Sequence, residues 1–208
     1  MIRNIILDFG GVIINLNYYA TKMAFENLGA KNFDEVFNQW KQKPFFDLLD
    51  KGLLTDEEFY SAIKQELHLD ATDAEIEFAW NAMLLDIPKH RLELLNQLRK
   101  NYNLFLLSNT NHIHLKSISK YLQSTYGFSD IAECFHKAYY SCDCKLRKPD
   151  YEFFNLVLNE NQLEKTETLF VDDTIQHVEA AKSIGLQASL LEKNTELKSL
   201  LQQLKINC

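Results

Sequence analysis

The sequence predicts an α/β protein built on a parallel sheet, with a small all-helical segment inserted after the first strand. Five short, nearly continuous apolar runs recur along the chain, and such runs suit strands covered on both faces. Helical periodicities separate most of them, the alternation of a sheet wound by crossovers. From about residue 17 to about residue 86 no such run occurs, and the pattern is helical throughout.

The first run is Ile2 to Leu7, and Gly10 and Gly11 follow where backbone must approach a ligand. The helical stretch then reads as Tyr18–Leu28, Phe33–Lys41, Thr55–Leu67 and Asp73–Leu84. Thr55-Asp56-Glu57-Glu58 forms a capping box for the third of these. The expected division is therefore an α/β core of residues 1–16 and 87–208, and a helical cap of residues 17–86. Pro88 opens the next helix, in which Leu92, Leu95 and Leu98 recur at every third residue. Strands are expected at residues 103–107 and 137–140. Pro149 then helps to begin a helix through Phe153, Phe154 and Val157. A strand at 168–171 leads into a stripe of Ile175, Val178, Ala181 and Ile184, which Gly185 ends, before a last strand at 186–190.

At 208 residues and 46% hydrophobic, the chain can bury an ordinary core. A formal net charge of −7 argues against nucleic-acid or membrane-surface partners. No window reaches the ~20 consecutive apolar residues that a membrane span needs. The chain begins directly with a strand, without a basic lead or cleavage site, so a cytoplasmic protein is expected, monomeric or a weak homodimer. Cys134, Cys142, Cys144 and Cys208 are expected to be reduced thiols. The alternative is a metal cluster of Cys134, His136, Cys142 and Cys144, whose spacings differ from the C-x₂₋₄-C of structural zinc sites.

Chemistry gathers where strands end. Asp8, Ser108-Asn109, Lys148 and Asp172-Asp173 each follow or border an apolar run, and ligands collect beyond the carboxyl ends of parallel strands. They supply a carboxylate nucleophile, a hydroxyl with backbone donors at a helix start, an ammonium and an acidic pair. Such a set moves phosphoryl groups with help from a divalent cation. Each has a plainer reading too: a strand-end Asp8 capping a turn, an ordinary Ser/Asn cap, a solvated Lys148, and an acidic helix start.

These segments, Ile-Leu-Asp8-Phe-Gly-Gly-Val, Leu-Ser108-Asn-Thr-Asn-x-x-His, Arg-Lys148-Pro and Val-Asp172-Asp-Thr, resemble those of the haloacid dehalogenase-like hydrolase superfamily. Within it the chain is most similar to the bacterial phosphatases of sugar phosphates such as α-glucose 1-phosphate. The resemblance implies a Rossmann-like core with a helical cap. It makes Asp8 the nucleophile that forms an aspartyl-phosphate, and Ser108, Asn109 and Lys148 the phosphate-binding residues. It also implies Mg²⁺ held by Asp8, the Gly10 carbonyl and Asp173, with Asp172 acting through water or Lys148. Gly10 departs from the commoner D-x-D opening, so the second carboxylate, which protonates the leaving oxygen, is missing. That loss costs ~10²–10⁴-fold except for a good leaving group such as an anomeric oxygen. His114 is a candidate substitute acid, against a partly exposed helix residue. Lys145 and Arg147 read as solvated. Asp50, near Asp47 and Asp56, is a candidate for binding sugar hydroxyls, against a surface helix-end charge. Trp40, Phe45 and Phe46 read as cap core.

The expected activity is Mg²⁺-dependent hydrolysis of small phosphorylated metabolites, with glucose 1-phosphate as the example. The alternatives are a 2-haloacid dehalogenase, which needs no metal, and a non-catalytic phosphometabolite-binding or regulatory protein.

Overall fold

The computed structural model describes residues 1–37 and 43–207. The five expected strands form one sheet: β1 (Asn4–Leu7), β2 (Asn103–Ser108), β3 (Lys137–Tyr140), β4 (Thr168–Asp172) and β5 (Gln187–Leu190). The order is β3-β2-β1-β4-β5, and every neighbouring pair is parallel. β1 is central, and the connection direction reverses beside it, which is where such sheets open a crevice.

Both faces of the sheet are covered, which explains the unbroken apolar runs. Ile5 and Leu7 point to one face, where they join Leu95 and Leu98 of α6 (Lys89–Asn101) and Leu197 and Leu201 of α11 (Leu197–Gln203). Ile6 points to the other, where it meets Phe153, Phe154 and Val157 of α9 (Tyr151–Glu160) and Ala181 of α10 (Ile175–Ser183). Pro149 does not begin α9: Asp150 is its N-cap, and Pro149 lies before it.

Between β1 and β2 run α1 (Tyr18–Asn27), α2 (Phe33–Val36), α3 (Pro44–Asp50), α4 (Asp56–Leu67) and α5 (Asp73–Asn81). Thr55 and Glu58 make the expected capping box, and Thr72 and Glu75 make a second one for α5. The helix expected to reach Lys41 has a C-cap at an extended Phe37, and the remainder of the expected range lies outside the described residues. Phe25, Phe33, Phe46, Phe59 and Trp80 give these helices an apolar cluster of their own, and Phe45 packs against it. Trp40 lies outside the described residues. Among the described residues, no helix is long and apolar enough to cross a membrane.

Candidate active site

The sheet register brings the distant segments to one edge. Leu7 pairs with Leu106 and Val171, and the next residue, Asp8, donates its backbone N–H to the Val171 carbonyl at 2.9 Å. Ser108 and Asp172 end the two strands that flank β1. Lys148 arrives from the loop between α8 (Ser141–Cys144) and α9, and Asn109 clamps its backbone. The Asn109 amide donates to the Lys148 carbonyl at 2.8 Å, and the Lys148 N–H donates to Asn109 Oδ1 at 2.8 Å.

The Lys148 ammonium is fully buried and donates to Asp8 Oδ1 and Asp172 Oδ2, each at 2.6 Å. A buried lysine is tolerated only with such partners. Asp173 completes a cluster in which carboxylate oxygens of Asp8, Asp172 and Asp173 lie within 4.8 Å of one another. One ammonium thus faces three carboxylates. Burial opposes ionisation of Asp172, yet Lys148 and the His177 ring, 3.0 Å away, hold it down at about 2. Asp8 is pushed up to about 7 by burial and by Asp172, against the pull of Lys148. Asp173 is pushed up to about 6 by burial and Asp172. Three carboxylates share the one ammonium, and clustered hard oxygen donors suit Mg²⁺.

The glycines fit this crowding differently. Gly11 has φ +67°, and a Cβ there would collide with the Asp173 carboxylate, so this position requires glycine for backbone and for space. A Cβ at Gly10 would stand 2.8 Å from Leu16 Cδ1. That methyl is the end of a flexible side chain and can shift, so the lack of a second carboxylate is a matter of sequence rather than of space.

A cavity of about 470 Å³ separates this edge from α1–α5, with Ser108 and Lys148 on one side and Asp50 and Trp80 on the other. Ser108 is buried, its hydroxyl donating weakly to the Asn109 carbonyl at 3.5 Å. Three residues on, Asn111 caps α7 (His112–Tyr126) by accepting the His114 N–H at 3.0 Å, and its amide donates to Asp50 Oδ1 at 3.4 Å. The Asp50 side chain is only 17% exposed, so it is not a surface helix-end charge. Burial raises its carboxyl to about 7, against the Asn111 hydrogen bond.

A further expectation needs correction. Arg147 is not solvated: it pairs with Asp47, stands 3.6 Å from Asp50, and keeps its Nε buried without a partner. Lys145 is exposed as expected, and its ammonium donates to the carbonyls of Gly52 at 2.6 Å and Cys142 at 2.9 Å. The alternative of a metal cluster of Cys134, His136, Cys142 and Cys144 does not assemble. His136 instead accepts the Leu104 N–H at 3.0 Å, and Cys134, Cys142 and Cys144 are free thiols, while Cys208 lies outside the described residues.

His114 is buried rather than partly exposed. Its Nδ1 lies 2.8 Å from Asn81 Oδ1, and its ring stacks on Trp80. Burial depresses it from 6.5 to about 3, so at neutral pH it is an uncharged ring rather than a ready acid. The unfolded chain binds this proton more readily, so the contribution to stability is present above pH 6.5 and is lost as pH falls toward about 3. His114→Gln is expected to make the acid loss of stability shallower by up to one proton, read from denaturation midpoints at pH 7 and pH 5. An unchanged pH slope contradicts this.

Sequence reading missed Tyr18, Leu16, Asn111 and His177, all of which line the cavity. The Tyr18 phenol is pushed up by burial and by Asp173, Asp8, Asp50 and Asp172. Only Asn111 carried a signal, as a good N-cap residue before a helix.

The fold is a doubly wound parallel α/β sheet with its acidic centre at the carboxyl edge. The chain belongs to the haloacid dehalogenase-like hydrolase family, whose model matches residues 2–185. It is 29% identical over 187 residues to D-ribitol-5-phosphate phosphatase of Bacteroides thetaiotaomicron, covering 90% of each chain. A haloacid dehalogenase family enzyme of the same organism, a variant crystallised with magnesium and inorganic phosphate, superposes with a TM-score of 0.90 at 32% identity. That match covers 97% of this chain and 99% of the other. A predicted family hydrolase of Porphyromonas gingivalis gives 0.88 at 27% identity, over all of both chains.

Proposed function

We propose that the protein is a Mg²⁺-dependent phosphatase of small polyhydroxylated phosphate esters, working through an aspartyl-phosphate on Asp8. The observation that carries this is the buried Lys148 ammonium bridging Asp8 and Asp172, with Asp173 beside them. Asp8 attacks phosphorus, Lys148 offsets the charge of nucleophile and phosphate, and Ser108 with the α7 start receives phosphate oxygens. Asn109 acts by holding Lys148 in place. Asp8, Asp173 and the Gly10 carbonyl are the candidate Mg²⁺ ligands, and Asp172 orients Lys148. When bound, the cation supplies charge neutralisation at the phosphate. Magnesium in a crystallised family member supports this. The division into a core of 1–16 and 87–208 and a cap of 17–86 is part of the reading, supported by the separate apolar cluster of α1–α5. So is the lack of nucleic-acid or membrane-surface partners, which rests on the acidic charge.

Two arguments point to hydroxyl-rich esters, and they differ in the oxygen that leaves, anomeric in the first and a primary alcohol in the second. Position 10 is glycine and offers no acid, which favours a leaving oxygen that departs unaided, as in glucose 1-phosphate. The similarity to a ribitol-5-phosphate phosphatase favours an acyclic polyol, and Asp50, Asn111 and Arg147 offer partners to either.

The test is phosphate release from sugar 1-phosphates, sugar 6-phosphates and ribitol 5-phosphate, with and without chelator. Release that requires Mg²⁺, and is faster from 1- than from 6-phosphates, is expected. Activity that survives complete metal removal, or no release from any ester, overturns the proposal. Gly11→Ala is expected to weaken Mg²⁺ about 10–100-fold, the size seen when support of a metal ligand is lost. A magnesium titration of turnover with an unchanged midpoint contradicts the placement of Asp173.

A further inference from the structure

Behind the loop that carries Ser108, a second set of ligating side chains meets outside the acidic cluster. His112 begins α7, and Cys142 and Asp143 lie in α8. Cys142 Sγ is 3.8 Å from His112 Nδ1, and Asp143 Oδ1 is 3.8 Å from His112 Nε2. One ligating atom from each residue falls within 4.8 Å of the others. Bonds of about 2.3 Å to sulfur and about 2.0 Å to nitrogen, at a tetrahedral angle, put ligand atoms about 3.5 Å apart. The two 3.8 Å approaches use opposite nitrogens of the ring, so a single cation takes one of them and draws the other side chain in from within 4.8 Å.

We propose that His112, Cys142 and Asp143 form a site for a borderline-soft divalent cation such as Zn²⁺, distinct from the acidic cluster, with water completing the tetrahedron. The donor chemistry separates the two sites: sulfur and imidazole select zinc, whereas the all-carboxylate set at Asp8 and Asp173 suits magnesium. The backbone beneath is already held. Ser141 Oγ both accepts the Thr110 N–H and donates to the Thr110 carbonyl, each at 2.9 Å, which ties α8 to the residues just before His112. Burial and Asp143 hold Cys142 as a thiol, up to about 12, so zinc displaces a proton on binding, as it does at cysteine sites generally. Asp56, at the start of α4, faces His112 and adds negative charge, while Lys116 on α7 opposes it. A cation here would clamp His112 to α8 one residue from Asn111, the cap that reaches Asp50.

The experiment keeps the intact protein saturated with Mg²⁺ and titrates Co²⁺ as a spectroscopic stand-in for zinc. Thiolate-to-cobalt charge-transfer bands with tetrahedral visible bands are expected, saturating at one cobalt per chain and bleached by Zn²⁺. Cys142→Ser is expected to abolish the charge-transfer band. His112→Ala, at an exposed position, is expected to weaken binding at least about tenfold. Asp173→Asn should retain the bands. Absence of the bands, their persistence in Cys142→Ser, unchanged affinity in His112→Ala, or their loss in Asp173→Asn each overturns the proposal.

Discussion

Asp8→Asn is expected to abolish phosphate release, with a drop on the order of 10⁴-fold or more in kcat, the scale of removing a covalent nucleophile. The amide keeps the shape of the carboxylate but cannot attack phosphorus. The fold should survive the change. Asp8 is a buried acid already pushed up to about 7 by burial and Asp172, so neutralising it relieves repulsion. Lys148 keeps Asp172 as a partner at 2.6 Å. Thermal unfolding of the variant should therefore match or exceed the wild type while steady-state phosphate release vanishes. Turnover near the wild-type rate would remove Asp8 from the chemistry.

Lys148→Met is expected to fail in two ways at once. The ammonium is fully buried and sits between Asp8 and Asp172, so its removal leaves three carboxylates within 4.8 Å of one another without a cation. Breaking a buried pair from one side costs about 3–5 kcal/mol. Activity should fall with stability, because the charge that reconciles nucleophile and phosphate is gone. Adding Asp172→Asn separates the two effects. The double variant removes one uncompensated carboxylate and should recover part of the stability, as read by chemical denaturation, while remaining inactive. Recovery of activity together with stability would reduce Lys148 to a structural ion-pair partner.

Much of the fold was legible because its signals are local. Apolar runs such as Leu169 to Val171 reflect burial on both faces of the sheet, and the Thr55 and Glu58 capping box depends on residues three apart. The chemistry-bearing segments were legible for the same reason, since each lies within a residue or two of a strand end. What was missed depends on segments far apart in sequence. Asn109 reads locally as a phosphate-loop residue, but it clamps Lys148 from 39 residues away. Asp50 and Arg147 read as surface charges because nothing in their neighbours announces that α3 packs on the loop before α9. His114 was misread for a related reason: the burying surface is Trp80 of α5, more than thirty residues earlier.

The covalent intermediate offers the sharpest test. The enzyme, quenched in acid during turnover of a hydrolysed ester, is treated with borohydride, which reduces an acyl-phosphate to the alcohol, and the peptide spanning residues 1–16 is sequenced by mass spectrometry. Homoserine at position 8, formed only when substrate and Mg²⁺ are both present, is the expected result. An unmodified Asp8 under conditions where phosphate is being released, or reduction at Asp172 or Asp173 instead, would contradict it.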